Sequence, residues 1–161
     1  MSIRSTSGQS RKSWKSLNHT EISMPEEILR GGCSCGEIRY EIARTNSKLV
    51  VCHCTSCQKQ STSAYGLTMI VPSVDVSLTL GTPKKWTRTT DSGNIQDTFL
   101  CGTCGTRIWH GNKDTDKMLK VRADALDTPV DVSEAVHIWT NSKLPGIEIP
   151  EGAKSFPQNP S

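Results

Sequence analysis

All seven cysteines of this 161-residue chain fall into three tight groups. Cys33 and Cys35 form C-x-C, Cys52, Cys54 and Cys57 form C-x-C-x-x-C, and Cys101 and Cys104 form C-x-x-C within Cys101-Gly-Thr-Cys-Gly. A thiolate metal site needs two or three sulfurs delivered from one turn, and these spacings deliver them. Two pairs make one closed four-sulfur site, and the triplet makes a site one ligand short. A closed tetrahedral zinc site holds a fold together, whereas three protein ligands leave a position for water or substrate. The pattern therefore points to two zinc ions per chain, one structural and one able to do chemistry. Spacing by itself leaves mixed pairings of the cysteine groups open.

Disulfides explain the cysteines less well. Their number is odd, and two cysteines in C-x-C rarely bridge each other. The N-terminus shows no apolar leader, and no apolar run is long enough to span a bilayer, so a reducing compartment, the cytoplasm, is the expected one. Glycine-turn knuckles also suit iron–sulfur clusters; zinc is the preferred ion.

The formal charge of +3 is unevenly spread. Arg4, Arg11, Lys12 and Lys15 stand in the first twenty residues with no acid among them, and the remainder is slightly acidic. A nucleic-acid binder carries its basic surface on the folded part, so nucleic acid is disfavoured as a partner. Residues 1–27 read as a disordered basic tail, with a composition that also resembles an organelle transit segment. Residues 28–157 read as one folded domain. With only 34% hydrophobic residues in the whole chain, the domain gains from metal crosslinking.

The elements that must position the cysteines read as short strands. Ile38, Tyr40 and Ile42 alternate with Glu37, Arg39 and Glu41 in a half-buried strand that begins just after the first cysteine pair. Strands are expected over 48–51, leading into the cysteine triplet, and over 67–71, stopped by Pro72. Another runs over 76–80, ended by Gly81. Residues 85–89 and 97–100 flank the turn signal Asp91-Ser92-Gly93-Asn94 and form a hairpin, whose second strand hands the chain to Cys101. Further strands are expected over 107–110, 118–122 and 136–140. The helical candidate is 55–60, which contains Cys57. This pattern predicts an antiparallel all-β domain.

Gly32-Cys-Ser-Cys-Gly-Glu-Ile-Arg-Tyr40, Cys52-His-Cys-Thr-Ser-Cys-Gln-Lys59 and Cys101-Gly-Thr-Cys-Gly-Thr106 resemble three successive motifs of one known family. Ala125-Leu-Asp127 and His137-Ile-Trp-Thr-Asn-Ser-Lys-Leu-Pro145 resemble its closing segments. It is the glutathione-dependent formaldehyde-activating enzyme family, which includes centromere protein V, and the resemblance covers residues 31–157. It implies an antiparallel β-tent stabilised by zinc. It places a structural zinc on Cys33, Cys35, Cys101 and Cys104 and a catalytic zinc on Cys52, Cys54 and Cys57. It also implies a carbon–sulfur lyase activity on a small thiol–aldehyde adduct such as S-hydroxymethylglutathione, with glutathione as a substrate. The chain departs from the family where Gln60-Ser61-Thr62 replaces a Ser-Gly step and where Gly146 follows Pro145, both at positions that would wall a substrate.

A three-thiolate zinc is a weak Lewis acid whose open position accepts a soft ligand, so a substrate thiol is the group expected there. Lys59 and Arg107 flank the metal motifs and are candidate partners for glutathione carboxylates. His53, between two ligands, is expected to point away from the metal. His110 is expected at the surface, and His137 is expected packed or hydrogen-bonded. Trp109 and Trp139 are candidates for core or pocket wall. Two further readings stand beside this one: a lyase for another small molecule, and a non-catalytic zinc-stabilised binding module, which a fourth ligand on the cysteine triplet would favour. A chromatin-associated role, suggested by the centromere relative and the basic tail, is opposed by the charge of the folded part.

Overall fold

The computed structural model describes residues 27–43, 47–90 and 93–160. Among them ten strands form two sheets with one short helix. Strands β1 (Ile28–Gly32), β2 (Arg39–Ala43) and β5 (Val76–Leu80) make a small sheet in the order β1-β2-β5. The larger sheet is built from β3 (Lys48–Cys52), β4 (Gly66–Pro72), β6 (Lys84–Thr89), β7 (Ile95–Leu100), β8 (Arg107–His110), β9 (Met118–Arg122) and β10 (Val136–Ile138). Its order is β10-β3-β4-β9-β8-β7-β6. Helix α1 (Thr55–Ser61) follows β3.

Alternation explains how the sheets meet. Tyr40 and Ile42 of β2, joined by Ile38, turn inward from the small sheet, each no more than 3% exposed. Facing them are Met69 and Val71 of β4, Leu119 and Val121 of β9, and Trp109 of β8, all in the same buried cluster. The Trp109 ring meets the Tyr40 ring edge-on, with centroids 6.2 Å apart and planes at 87°. That geometry suits the aromatic quadrupole and locks β8 of one sheet over β2 of the other. The other face of the larger sheet is therefore free to carry polar groups.

The all-β class holds, and α1 is the expected helical turn extended by one residue. Three details differ from the sequence reading. β1 was not expected, because Ile-Leu-Arg-Gly-Gly has neither the length nor the β-branched content of a strand; pairing with β2 from Ile28↔Ala43 to Gly32↔Arg39 makes it one. The strand expected over 136–140 ends at Ile138, because Trp139 takes a left-handed backbone (φ 58°) and Thr140–Ser142 coil into a 3-10 turn. β10 also pairs with β3 in parallel, while the other strand pairs among the described residues are antiparallel. The basic tail lies outside the described residues except for Glu27, and so do Asp91 and Ser92 of the expected hairpin turn. Around that turn, Gly93 N–H donates to Thr90 O at 2.9 Å and Thr90 N–H to Asn94 O at 2.8 Å.

Gly31 shows how closely the small sheet is packed. A Cβ there would lie 2.5 Å from the Tyr40 ring and 2.7 Å from the Ala125 carbonyl oxygen. Gly31→Ala is therefore expected to cost about 1–3 kcal/mol by overpacking and to lower the melting temperature by several degrees. A melt indistinguishable from wild type would show that β1 does not press on Tyr40 in solution.

Candidate metal centres

Two knuckles bring the first four sulfurs together. Cys33 and Cys35 lie in the turn between β1 and β2, and Cys101 and Cys104 in the turn between β7 and β8. Both turns close on a glycine with left-handed backbone, Gly36 (φ 82°) and Gly105 (φ 74°), which a side chain would strain. Gly36 N–H donates to Cys33 O at 3.1 Å, a three-residue step, and Gly105 N–H to Cys101 O at 3.0 Å, a four-residue step, so each knuckle is closed by its own backbone bond. The four Sγ atoms lie within 4.8 Å of one another. Cys35 Sγ is 3.4 Å from Cys33 Sγ and 3.6 Å from Cys101 Sγ. A tetrahedron with zinc–sulfur bonds of about 2.3 Å has edges near 3.8 Å, so the donor set fits zinc. Thr106 Oγ1 ties the knuckles together, 3.1 Å from Ser34 Oγ and 3.2 Å from Cys104 Sγ. With the backbone N–H groups nearby, it holds the Cys104 thiol down at about 5.

The triplet is assembled differently. Cys52 ends β3, Cys54 is the N-cap of α1, and Cys57 lies in its first turn. Cys54 Sγ accepts the Cys57 N–H at 3.3 Å, a thiol serving where serine or aspartate usually caps. A seven-residue helix is marginal alone, and two further bonds hold it: Gln58 Nε2 donates to His53 O at 2.7 Å and to Ser142 O at 2.9 Å. The three Sγ atoms again lie within 4.8 Å of one another, and among the described residues no fourth His, Cys, Asp or Glu joins them. Their thiols do not titrate independently. Hydrogen bonds from Cys52 and Cys57 push Cys54 down to about 2, while Cys54 and Cys57 drive Cys52 up. Crowded sulfurs of this kind suit a shared cation, and the set fits a three-thiolate zinc.

This second group borders a cavity of about 410 Å³. Its floor is the polar face of the larger sheet, where pairing aligns Ile70 with Lys120, Lys120 with His110, and Arg88 with Gln96. Helix α1 supplies one wall through Cys54, Cys57 and Gln60, and the C-terminal segment another through Ile138, Trp139 and Asn159. Trp139 Nε1 donates to Asn159 Oδ1 at 3.0 Å. A separate cleft of about 360 Å³ beside the other cluster is lined by backbone, Glu37 and Lys84 and reaches none of the triplet.

Two cations stand behind α1, Arg107 partly buried and Arg122 buried. Arg107 Nη1 donates to Gln60 Oε1 at 2.6 Å and Nη2 to Ser61 Oγ at 2.7 Å; burial pulls the guanidinium down to about 10, where it is still charged at neutral pH. Arg122, 2% exposed, pairs with Asp124 at 2.5 Å and reaches Ser61 Oγ at 3.3 Å. Between Arg107 and the cavity lies His110, its Nε2 3.4 Å from Arg107 Nη1 and its Nδ1 2.9 Å from Thr98 Oγ1. An arginine can only donate, so Nε2 accepts and Nδ1 carries the proton toward Thr98. Burial first, then the charges of Arg107, Arg122, Lys120 and Arg88, hold His110 neutral by pulling it down to about 3.

The two cysteine groupings are thus those read from the sequence. His53 does not join the sulfur group and is buried, its Nε2 3.0 Å from His137 Nδ1, with the rings stacked 5.3 Å apart. His137 is packed and hydrogen-bonded as expected. His110 is not at the surface but 6% exposed in the cavity floor, because β8 lies inside the sheet between β7 and β9. Trp109 belongs to the core and Trp139 to the cavity wall. Lys59 is exposed on the far side of α1 and does not line the cavity, and the Arg107 fork is occupied by Gln60 and Ser61. The sequence reading missed Arg88 and Lys120, whose only signal was alternation onto the polar face.

A family model described as glutathione-dependent formaldehyde-activating enzyme matches residues 28–142. A crystal structure of a Rhodobacter sphaeroides protein superposes with a TM-score of 0.51 at 18% identity, covering 67% of this chain and 98% of that one. At that identity the likeness shows the shared fold alone.

The two clusters predict a division of labour. Cys101→Ser opens the closed site and is expected to unfold or aggregate the chain, since structural zinc contributes folding energy on the order of 10 kcal/mol. Cys54→Ser should stay folded and bind one zinc instead of two; metal analysis with thermal melts decides, and equal destabilisation by both would refute it. His110 adds a pH effect. Its folded value lies far below the unfolded value of about 6.5, so below pH 6.5 the unfolded chain takes up a proton that the folded chain refuses. Stability present above pH 6.5 should fall by up to about 1.4 kcal/mol per unit toward pH 3. His110→Gln should flatten that slope between pH 5 and 6.5 in denaturant melts, and an unchanged slope would rule out the effect.

Proposed function

The chain belongs to the glutathione-dependent formaldehyde-activating enzyme family, and on that footing we propose that it is a zinc-dependent carbon–sulfur lyase acting on a small thiol–aldehyde adduct. The observation that carries this reading is a three-sulfur group with no fourth ligand among the described residues, opening onto a cavity of about 410 Å³. A group of this kind can exchange a small ligand, whereas the closed four-sulfur group cannot. Bound zinc on Cys52, Cys54 and Cys57 would supply an open position that favours the thiolate form of a substrate thiol near neutral pH.

The chain's own residues supply the rest. The cavity holds thiol and aldehyde side by side and replaces a bimolecular encounter by an internal one. In the joining direction the substrate sulfur gives up its proton and forms a bond to the aldehyde carbon. The carbonyl π pair moves to oxygen, which receives a proton, so the adduct forms with no oxidant or reductant. The lyase direction reverses each movement. Gln60, at the cavity wall, can donate its amide N–H to the adduct oxygen while its Oε1 accepts from Arg107. Arg88 and Lys120 are the cations of the floor and are assigned to the substrate's carboxylates, a role that the positions of Lys59 and Arg107 suit less well. Arg88 Nε donates to Gln96 Oε1 at 3.2 Å, which steadies the side chain in the floor.

Zinc-loaded protein is expected to accelerate adduct formation and breakdown with glutathione and formaldehyde, followed by NMR exchange spectroscopy. Cys54→Ser should abolish the acceleration, and absence of turnover by the wild type across a panel of thiol–aldehyde adducts would sink the lyase reading in favour of a binding module. Arg88→Gln and Lys120→Gln should each raise KM for a carboxylate-bearing thiol by about tenfold, the loss of one charge-assisted hydrogen bond, with kcat little changed. If instead KM is unchanged and kcat falls, the two cations do not bind the carboxylates.

A further inference from the structure

Ile138 and Trp139 are consecutive residues, yet both line the cavity that the cysteine triplet borders. In an extended strand successive side chains leave opposite faces, so a β10 continued past Ile138 would have turned Trp139 away from it. Trp139 instead takes a left-handed backbone, φ 58° and ψ 40°. Apart from Thr62, the C-cap of α1, it is the one non-glycine residue with positive φ among the described residues. For a side chain as bulky as indole that conformation is an outlier, and it persists only where the surroundings enforce it. Core packing does not account for it, since Trp139 is no part of the buried cluster to which Trp109 belongs.

The enforcing bonds lead to the triplet. On one side of Trp139, Ile138 O accepts the His53 N–H at 3.0 Å, and Ile138 is the register partner of Cys52. On the other side, Ser142 O accepts from Gln58 Nε2 of α1 at 2.9 Å. The chain is thus tied, before and after the kink, to the two segments that carry the triplet. The indole is latched as well. Its Nε1 donates to Asn159 Oδ1 at 3.0 Å, the Trp139 N–H meets Gln158 O at 3.4 Å, and Asn159 lines the same cavity. The kink therefore sets a large, flat, apolar wall where β3 hands Cys52 to the sulfur group, and the C-terminal segment holds that wall still.

We propose that Trp139 is a specificity-determining residue whose indole bounds the space beside the three-sulfur group and admits a one-carbon aldehyde in preference to a substituted one. This rests on the lyase reading of the same cavity and adds to it the class of aldehyde. The polar end of the thiol belongs to the floor, with Arg88 and Lys120, whereas the reacting carbon belongs next to the sulfurs and so meets the indole. An added methyl group in an apolar pocket is discriminated by about 10–200-fold. A side chain with two torsions and a bonded Nε1 yields little to such a group.

The test compares two aldehydes on full-length, zinc-loaded protein. Adduct formation between glutathione and formaldehyde or acetaldehyde is followed by NMR exchange spectroscopy, each rate corrected for the uncatalysed one. The ratio of the two kcat/KM values is the readout, because it does not depend on the fraction of protein that is folded. Wild type should favour formaldehyde by about tenfold or more. Trp139→Gly removes the indole and accepts the left-handed backbone; it should cut the preference to about threefold or less with both metals retained. Trp139→Phe should keep the wild-type preference, and Asn159→Ala, which frees the indole from its latch, should fall between. A Trp139→Gly ratio equal to wild type would overturn the proposal. So would loss of turnover with both aldehydes while two metals stay bound, since the indole would then serve the reaction at large. If Trp139→Gly does not fold, Asn159→Ala decides: a lowered ratio supports the proposal and an unchanged one overturns it. The kink has a separate check in Trp139→Ala, which lacks the same ring but tolerates positive φ less well than glycine. It should melt several degrees below Trp139→Gly, and equal melts would overturn the proposal by showing that the turn is absent in solution. A wild type that handles both aldehydes alike would overturn this inference alone, whereas a wild type with no turnover on any thiol–aldehyde adduct would overturn it together with the lyase reading.

Discussion

Four sulfurs drawn from two sheets are the constraint on which this architecture rests. The small sheet contributes Cys33 and Cys35 through the β1–β2 turn, and the larger sheet contributes Cys101 and Cys104 through the β7–β8 turn. No strand of one sheet pairs with a strand of the other among the described residues. Contact between the sheets therefore relies on packed side chains such as Tyr40 and Trp109, on the bonding of β1 to the segment after β9 through Gly31↔Leu126 and Asp127 N–H to Arg30 O, and on this cluster. A chain with a modest hydrophobic share has limited apolar area to bury, and a metal held by both sheets would supplement what packing provides. Each knuckle closes with a left-handed glycine, so the sulfurs are presented before any ion arrives.

Clamping the core side of the larger sheet leaves its opposite face available. That face carries Lys120, His110, Gln96 and Arg88 and forms the floor of the cavity over which α1 and the C-terminal segment are folded. The C-terminal segment is held by backbone bonds in both directions: His137 N–H to Lys154 O and Phe156 N–H to His137 O, each 2.8 Å. A helix too short to be stable by itself is positioned by Gln58, Gln60 and Ser61, whose partners lie on three separate elements. Rigidity at the triplet thus comes from its surroundings. That is the condition for an open coordination position to keep its geometry. Burial first, with the charges of Arg107, Arg122, Lys120 and Arg88, keeps His110 neutral, and the cavity lining itself carries Arg88 and Lys120 beside Asp97 and Asp116.

Much of this was legible in the residues. Cysteine spacing announced both metal groups, because ligands delivered from one turn leave a short-range mark. Alternation revealed the inward set Ile38, Tyr40 and Ile42, and Cys57 fell in the helix expected over 55–60. The misses share one cause, which is that they depend on partners distant in sequence. β1 is a strand only because β2 lies beside it. β10 runs parallel to β3 across more than eighty residues of chain. His110 follows a tryptophan in a strand that gives no hint of being central, and only its neighbours β7 and β9 bury it. Arg107 next to a zinc knuckle resembled a substrate handle until Gln60 and Ser61 were found to occupy its fork.

Residue type and spacing by themselves determined the class of the fold, the soft-donor character of both centres, and the inequality between them, since seven thiols divide into four and three. Ligand number is a local property of the chain, and local properties survive in one dimension. Which pairs share an ion, which face of which sheet carries the cavity, and which charged side chains reach it were decided only when the chain closed on itself. Those outcomes follow from burial and from long-range pairing, whose energies exist only between groups that folding brings together.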